Sequence, residues 1–241
     1  MTRTISKIID FHSHILPQVD DGSDSTETSL AMLAKEAGQG VRHVVLTPHF
    51  YADRDNPVKF LNRRNEAANR LAEAMWGRDD LPRLHLGAEV AYYKGMSESE
   101  DLKKLCLGDS KFIMVELPMR KWGNDIFDEL AHIPVRLGLT PVIAHVERYI
   151  TAFNADKIIS RLEELPLRLQ VNSSFFLQRK TVKLATRLLR DERIHLIGTD
   201  CHNMTSRPPT LGKAVAEIEQ RLGDDALDWI CWNQRLIFPD L

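Results

Sequence analysis

Residues 8–49 read IIDFHSHILPQVDDGSDSTETSLAMLAKEAGQGVRHVVLTPH and combine two strand-like segments with one helical segment. Leu30, Leu33, Ala34 and Ala37 recur at the spacing of one face of a helix. The apolar runs on either side are short and rich in β-branched residues, which is typical of strands. A strand, a helix and a second strand in this order predict two parallel strands joined by a crossover.

The same alternation continues through the rest of the chain. The predicted strands are Ile5–Phe11, Val41–Thr47, Arg83–Val90, Lys111–Glu116, Thr140–His145, Leu167–Val171 and Ile194–Thr199. Strict alternation of seven strands with helices predicts the α/β class, as an open doubly wound sheet or as a barrel with fewer than the usual eight strands. We expect a single domain over residues 1–241, because this length fits one α/β barrel and no linker or repeat interrupts it.

Composition and charge exclude several classes of protein. The 241 residues include 32 basic and 34 acidic side chains, and the net charge of −2 gives no electrostatic reason to expect nucleic acid as a partner. The longest apolar run, Leu30–Ala34, is far shorter than the ~20 residues of a membrane-spanning helix. The first residues leave no room for the apolar region of a signal peptide, and three scattered cysteines form no disulfide framework. We therefore expect a cytoplasmic protein that is not embedded in a membrane.

Side chains that can bind metals follow six of the seven predicted strands, each at the C-terminal end. In chain order they are His12, His14, His49, Glu89, Glu116, His145, Asp200 and His202. The C-terminal ends of parallel strands meet at one face, so we expect these side chains to lie together. A single buried histidine or carboxylate is usually a structural group, but eight are hard to explain by stability, because unpaired buried charges cost several kcal/mol each. Imidazoles and carboxylates together suit zinc, manganese or iron, and Glu89 or Glu116 could bridge two ions.

Two arginines follow these side chains closely. Arg148 comes three residues after His145, and Arg207 comes five residues after His202. We expect both in loops above the metals, where a guanidinium can bind phosphate oxygens in a bidentate manner, although a surface arginine without this role is the alternative. Aromatic residues after the same strand ends could form a pocket for a phenyl ring or could pack a lid. They are Phe50, Tyr51, Tyr92, Tyr93, Trp122 and Tyr149.

Four motifs resemble those of the polymerase and histidinol phosphatase superfamily. They are DFHSHILPQVDDG at 10–22, TPH at 47–49, HVERY at 145–149 and DCH at 200–202. The chain looks most similar to the bacterial protein-tyrosine phosphatases of capsule and exopolysaccharide loci, and the resemblance extends from Ile9 to about Arg207. It implies a distorted seven-stranded (β/α) barrel, similar to a TIM barrel.

The resemblance also implies a centre of two or three divalent ions, often manganese, with iron, cobalt or zinc as other possibilities. Carried over by motif, two ions are bound by His12, His14, Glu89, Glu116, His145 and Asp200. A third is held by His49 and His202 together with Asp20. We assign Arg148 and Arg207 to catalysis and substrate binding, and Tyr149 to substrate binding. The implied reaction is metal-dependent hydrolysis of phosphotyrosine on a protein, typically a tyrosine autokinase that controls polysaccharide export.

Other interpretations stay open from the sequence. Cys201 and Arg207 have the Cys-x5-Arg spacing of the unrelated cysteine-dependent tyrosine phosphatases, but the loop lacks glycine and Asp200 would raise the thiol pKa. Amidohydrolase-type barrels also begin with HxH, but they commonly carry a Lys and a His where this chain has Glu116 and Asn172. A phosphatase for histidinol phosphate or another small phosphomonoester, and a metal-binding scaffold in polysaccharide export, fit the same motifs.

Overall fold

The structure is a computed structural model that describes residues 5–241, so the first four residues of the predicted domain lie outside the described part. After a short 3-10 turn at Ile5–Lys7, strands and helices alternate as expected. In chain order they are β1 (Asp10–Ser13), α1 (Thr26–Gln39), β2 (His43–Leu46), β3 (His49–Phe50), α2 (Pro57–Ala74), β4 (Arg83–Leu86), β5 (Glu89–Ala91), β6 (Phe112–Glu116), α3 (Asn124–Leu137), β7 (Thr140–Ile143), α4 (Val146–Ala152), α5 (Ala155–Glu163), β8 (Arg168–Asn172), α6 (Ser174–Leu177), α7 (Val182–Arg190), β9 (Leu196–Gly198), α8 (Leu211–Leu222) and α9 (Asp224–Ile237). Two further 3-10 helices, Met96–Glu98 and Glu100–Leu105, lie between β5 and β6.

All paired strands are parallel and form one curled sheet. Strands pair in the orders β1-β2-β4 and β3-β5-β6-β7-β8-β9. The first and last strands also meet, because Asp200 N–H donates to His12 O at 2.7 Å and His14 N–H donates to Cys201 O at 2.9 Å. The predicted α/β class is confirmed in the form of a parallel sheet curled into a half-barrel.

The strand boundaries differ most from the prediction in the first three predicted strands. The expected strand Ile5–Phe11 begins only at Asp10, because the α9 side chain of Gln234 accepts from Ile9 N–H at 2.7 Å and donates to Lys7 O at 3.1 Å. These backbone groups could otherwise form hydrogen bonds with a neighbouring strand. The second predicted strand, Val41–Thr47, contains only β2, and a further strand, β3, follows after a short interruption. The third predicted strand is interrupted between β4 and β5, so nine strand segments are observed within residues 5–241. Pro48, which has no N–H to donate to a ladder, lies in the first interruption.

The N-terminal helix shows how local sequence starts and ends an element. Ser25 accepts a hydrogen bond from Thr28 N–H at the beginning of α1, and Gly40 ends the helix in the left-handed conformation with φ of 96°. Met32 and Leu33 are fully buried on its inner face. The helix thereby returns the chain to the start of β2, parallel to β1.

Apolar side chains fill the concave side of the curled sheet. Phe11, Val45, Met114, Val142 and Leu196 come from five strands and belong to one buried cluster, which Ile237 of α9 joins. Strands that are not neighbours can share a cluster only if these side chains point to a common interior. The polar residues after the strands therefore lie at the end of a packed core. Among the described residues, no helix combines the length and apolar character that crossing a membrane requires.

Candidate metal centre

Side chains predicted to bind metals converge at the C-terminal ends of the strands. His12 Nε2 lies 3.1 Å from His14 Nε2, and Glu89 Oε2 lies 3.2 and 3.3 Å from these two nitrogens. Asp200 Oδ1 lies 3.7 and 3.4 Å from the same nitrogens. Two imidazole nitrogens and two carboxylate oxygens therefore face a common point.

Glu89 connects this group to a second one. Its Oε1 lies 2.7 Å from His145 Nε2, and Glu116 Oε1 lies 3.5 Å from the same nitrogen. The other oxygen of Glu89, Oε2, lies 3.0 Å from His49 Nδ1. Because the two oxygens of Glu89 face different histidines, this fully buried carboxylate is placed to bridge two cations.

A third group contains Asp21 where the sequence pointed to Asp20. Asp21 Oδ1 lies 3.5 Å from both His49 Nε2 and His202 Nε2. The Asp20 carboxylate is already satisfied by the protein, because Oδ2 accepts from His14 Nδ1 at 2.7 Å and from His49 N–H at 2.9 Å. Its Oδ1 accepts from Gly22 N–H at 2.9 Å. Asp20 thus orients His14 from behind, and Asp21 is the carboxylate that faces His49 Nε2 and His202 Nε2.

The turn after Asp21 decides which of the two aspartates faces the histidines. A Cβ atom on Gly22 would lie 2.2 Å from His14 O, so only glycine permits this close approach. No signal within the Asp-Asp-Gly sequence distinguishes the two carboxylates, because the direction of each side chain depends on the path of the turn against β1.

Three of the imidazoles donate one ring N–H to a protein acceptor and leave the other nitrogen for the centre. These pairs are His12 Nδ1 with Gln170 Oε1 at 3.2 Å, His14 Nδ1 with Asp20 Oδ2 at 2.7 Å, and His202 Nδ1 with the Asp200 carbonyl at 3.0 Å. Such partners set the tautomer of a ligating histidine and direct its free lone pair. In each case Nε2 is the nitrogen that faces the neighbouring ligand candidates.

Strand β8, which carries no predicted metal ligand, supplies two amide side chains that orient the others. Gln170 Oε1 accepts from His145 N–H at 2.7 Å as well as from His12, and Gln170 Nε2 donates to Asn172 Oδ1 at 3.1 Å. Asn172 in turn donates to Asp200 Oδ2 at 2.8 Å. The prediction missed these roles, although the spacing of the two amides by two residues at a strand end was an available signal.

Unusual backbone conformations place two of the candidates. His145 and Asp200 have φ of 34° and 53°, in the left-handed region that residues other than glycine seldom adopt. Each lies two residues after the end of a strand, β7 or β9. Gly198 lets β9 approach β1, because a Cβ atom there would lie 2.4 Å from His12 Cβ. Close packing of the strands and a sharp turn after β9 together bring Asp200 next to His12.

The electrostatics keep the carboxylates ionised. Burial raises the pKa of Glu89 and Asp200, but the neighbouring histidines outweigh burial and hold both pKa values well below the ordinary range. Burial lowers the pKa of His145, but hydrogen bonds with Glu116 and Glu89 outweigh it and raise this pKa to about 9. The centre is therefore rich in negative charge that attracts protons or metal cations.

The donor set fits divalent cations. Three buried atoms at the centre, His49 Nδ1, Glu89 Oε2 and His202 Nε2, make no well-directed hydrogen bond with the described residues. Buried polar atoms without partners are unfavourable, and a bound cation would satisfy them. Imidazole nitrogens with carboxylate oxygens are ligands of zinc, manganese and iron.

Both predicted arginines lie beside the centre and line a cavity of about 510 Å³. Arg207 Nη2 lies 2.7 Å from Asp200 Oδ2, and Arg148 Nη2 contacts the same oxygen. The loop that carries Arg207 is held by Asn203, whose Oδ1 accepts from the N–H groups of Thr205, Ser206 and Arg207. Two partly exposed guanidinium groups in contact with one ligand candidate favour an anionic substrate.

The aromatic side chain of Tyr149 lies behind the cavity wall. It is fully buried, and its hydroxyl donates to Leu117 O at 2.8 Å and accepts from Leu117 N–H at 2.9 Å. The ring packs 4.9 Å from the ring of Trp122. This placement supports the wall of the site and does not favour the predicted direct contact of Tyr149 with a substrate.

The environment of Cys201 disfavours thiolate chemistry. The side chain is fully buried, and its sulfur lies near the carboxylates of Asp10 and Glu36. Burial raises the pKa of the Cys201 thiol well above its ordinary value, and these two carboxylates raise the pKa further. A nucleophilic cysteine requires the opposite, a lowered pKa and access to substrate.

Comparisons with known proteins point in the same direction as the geometry. Residues 8–237 match the family model described as capsular polysaccharide synthesis, CpsB/CapC. The chain is 34% identical to tyrosine-protein phosphatase CpsB of Streptococcus pneumoniae, over 97% of this chain and 99% of that protein. It is 29% identical to tyrosine-protein phosphatase YwqE of Bacillus subtilis, over 95% of this chain and 91% of that protein. A crystal structure from work on YwqE and CpsB, described as unique metal-dependent tyrosine phosphatases, is similar with a TM-score of 0.82, 25% identity and coverage of 97% and 95%.

Proposed function

The chain belongs to the CpsB/CapC family of capsular polysaccharide synthesis, and on this premise we propose that it is a metal-dependent protein-tyrosine phosphatase. The observation that carries the proposal is the contact of Arg148 and Arg207 with Asp200, directly beside the converging histidines and carboxylates. This arrangement combines a cation centre with two phosphate-binding groups. The relatives from Streptococcus pneumoniae and Bacillus subtilis are named as tyrosine-protein phosphatases.

We assign the metal-binding roles as follows. Two ions would be held by His12, His14, Glu89, Glu116, His145 and Asp200. A third would be held by His49 and His202 with Asp21, while Asp20 orients His14. Manganese is the ion we propose, and iron, cobalt and zinc are alternatives that the same nitrogen and oxygen ligands accept.

The reaction is hydrolysis of a phosphomonoester by direct attack of water. Bound divalent cations would supply two things here, a lowered pKa of water and neutralisation of the charge that develops on the phosphoryl group. Arg148 and Arg207 bind the phosphate oxygens and orient the phosphorus atom, and Asp200 holds their guanidinium groups in place. The bond from phosphorus to the tyrosine oxygen breaks, a bond to the oxygen of water forms, and the tyrosine leaves as the phenol. Cys201 takes no part.

The substrate that we propose is a phosphotyrosine protein, namely a bacterial tyrosine autokinase that controls exopolysaccharide or capsule synthesis, in the cytoplasm. We further propose that residues 1–241 form one domain with a seven-stranded barrel. The count of seven treats β2 with β3, and β4 with β5, as single interrupted strands, because each pair is separated by only two residues.

A substrate screen tests this proposal. The protein is assayed with a phosphotyrosine peptide, a phosphoserine peptide and histidinol phosphate, with Mn²⁺ and after dialysis against EDTA. We expect hydrolysis of the phosphotyrosine peptide in Mn²⁺, loss of activity in EDTA and recovery when Mn²⁺ is returned. Full activity after EDTA would refute metal dependence. Preference for histidinol phosphate would assign the protein to small-molecule phosphatases, and no turnover of any of the three would favour a binding role.

A further inference from the structure

A groove lined by aromatic and basic side chains lies beside the cavity of the metal centre. We call it the side groove; it is lined by Lys121, Trp122, Phe127, Phe153, Lys157 and Arg161, and its volume is about 460 Å³. Phe153 is partly exposed. The rings of Trp122 and Phe127 pack against each other, with 5.9 Å between their centroids. The floor of the side groove is therefore apolar and its rim is cationic.

The rim cations have no acidic partner within residues 5–241. Lys121 and Lys157 are exposed and lie farther than 4.0 Å from every carboxylate, whereas Lys103 and Lys104 elsewhere on the surface pair with Glu100 and Asp101. The guanidinium of Arg161 stacks on the Phe127 ring at 3.6 Å and donates to Asn124 at 3.1 Å. In a chain with a net charge of −2, these unpaired cations around an apolar floor complement an acidic ligand.

One buried side chain connects the side groove with the metal centre. The centroid of the buried Tyr149 ring lies 5.9 Å from that of the His145 ring and 4.9 Å from that of the Trp122 ring. Helix α4 carries Arg148 in its first turn, and Phe153 follows its last residue. Five helical residues span roughly 7.5 Å, and an extended peptide advances about 3.3 Å per residue. In a peptide whose phosphate lies between the two arginines, the residues about two to four positions from the phosphotyrosine would therefore reach the side groove.

We propose that the side groove binds an acidic segment of the phosphotyrosine protein, on one side of the phosphotyrosine. This inference rests on the proposed function and adds a sequence preference to it. Carboxylates of the segment pair with Lys121 and Lys157, and its apolar atoms contact Trp122 and Phe153. These contacts form equally in the bound substrate and in the transition state, so they act on KM and leave kcat unchanged.

The experiment compares two phosphotyrosine peptides in the Mn²⁺-loaded protein. One peptide carries Asp and Glu two to four residues from the phosphotyrosine on both sides, and the other carries Asn and Gln at the same positions. Free phosphotyrosine is the third substrate, because it is too short to reach the side groove. We expect kcat/KM to be about tenfold higher for the acidic peptide, through KM, which is the size of effect that two partly exposed ion pairs supply.

Charge reversal separates the side groove from the metal centre. The double variant Lys121→Glu/Lys157→Glu should lose the preference for the acidic peptide and hydrolyse free phosphotyrosine at the parent rate. The matched control is Lys7→Glu/Lys111→Glu, because these exposed lysines precede β1 and β6, at the opposite ends of the strands. The control has the same change of net charge and should keep the preference.

Each outcome decides the inference. Equal kcat/KM for both peptides in the parent, or an unchanged preference in Lys121→Glu/Lys157→Glu, would overturn it while leaving the phosphatase activity established. Failure of the parent to hydrolyse any phosphotyrosine substrate would overturn the proposed function and this inference together. If size-exclusion chromatography shows a dimeric parent and a monomeric double variant, the side groove is an interface between two copies, and the inference is wrong.

Discussion

Two histidine pairs have the same distance between their ring nitrogens but opposite electrostatic surroundings. His12 Nε2 and His14 Nε2 are 3.1 Å apart in the metal centre. His43 Nδ1 and His85 Nε2, in β2 and β4, are also 3.1 Å apart. Carboxylates surround the first pair, and burial there is outweighed by hydrogen bonds with Asp20, Asp200 and Glu89 that raise the pKa of His14.

The second pair has a cationic neighbour. Burial, His43 and Arg83 together lower the pKa of His85 to about 4, and burial and Arg83 also lower the pKa of His43. A close histidine pair is therefore no evidence of a metal site by itself. Neighbouring carboxylates determine whether cations are attracted, and they surround the pair that lies where parallel strands end.

The largest expected effect comes from removing one imidazole from the first pair. His12→Ala should lower kcat/KM by at least about 10³-fold, because a metal ligand and its lone pair are lost. The matched variant His85→Gln should keep activity and metal content near those of the parent. The measurements are steady-state kinetics on a phosphotyrosine peptide and elemental analysis. Equal loss of metal in both variants would show that the two pairs do not differ as we infer.

The arginines offer a second contrast. Arg148→Ala and Arg207→Ala should each lower kcat/KM by about 30- to 1000-fold, because a charged contact with phosphate is lost. Metal content should stay unchanged, since a guanidinium does not bind cations. Arg83→Ala, beside the second histidine pair, should leave kcat/KM unaltered. If the two arginine variants keep the parent activity, these arginines do not bind phosphate. If the variants lose metal, the arginines support the metal centre instead.

Gln170 tests how the ring orientation at the centre is maintained. Gln170→Ala removes the acceptor for His12 Nδ1 and for His145 N–H, so metal affinity should fall by about 10- to 100-fold while the fold persists. Competition with a chromophoric chelator measures the affinity, and circular dichroism checks the fold. Unchanged affinity would show that packing alone orients these histidines.

The raised pKa of His145 predicts release of protons when metal binds. Without metal, His145 with a pKa of about 9 is protonated at pH 7, and the ion must displace this proton. Metal affinity should therefore fall as pH decreases from about 9, by up to about tenfold per pH unit for each proton displaced. Calorimetry in two buffers of different ionisation enthalpy counts the protons. Affinity that is constant between pH 7 and pH 9 would contradict the prediction.

The smallest effect concerns stability and the second pair. His85 has a pKa of about 4 in the folded protein, below its value near 6.5 in the unfolded chain. Between these values the unfolded state binds more protons, so the free energy of unfolding declines as pH falls from 6.5 to 4. His85→Gln should reduce this decline by about 1 kcal/mol, because His85 is only partly buried and solvent screens its charge. Urea unfolding of parent and variant in EDTA measures the difference, and identical pH curves would contradict it.

Much of the fold and of the candidate centre could be predicted from local pattern. Alternation of strands and helices implied parallel strands, and every histidine and carboxylate that follows a strand end was thereby placed at one face. The exceptions have physical causes outside the local pattern. Gln234 of α9 takes the backbone groups of residues 7 and 9, so the first strand is shorter than its apolar residues indicate. Beyond Pro48 the chain forms the short strand β3, which the apolar run ending at Thr47 does not reveal.

The sequence by itself determined which residue types occur at the strand ends, because the period of a strand and the parallel order bring those positions together. Only the tertiary structure decided that Asp21 and not Asp20 faces His49, and that Tyr149 is buried behind the cavity. It also decided the partner of His12 Nδ1, since Gln170 is 158 residues away in the chain. The direction of a side chain in a turn and the acceptor of a second ring nitrogen depend on segments that meet only after folding, and spacing along the chain carries no information about them.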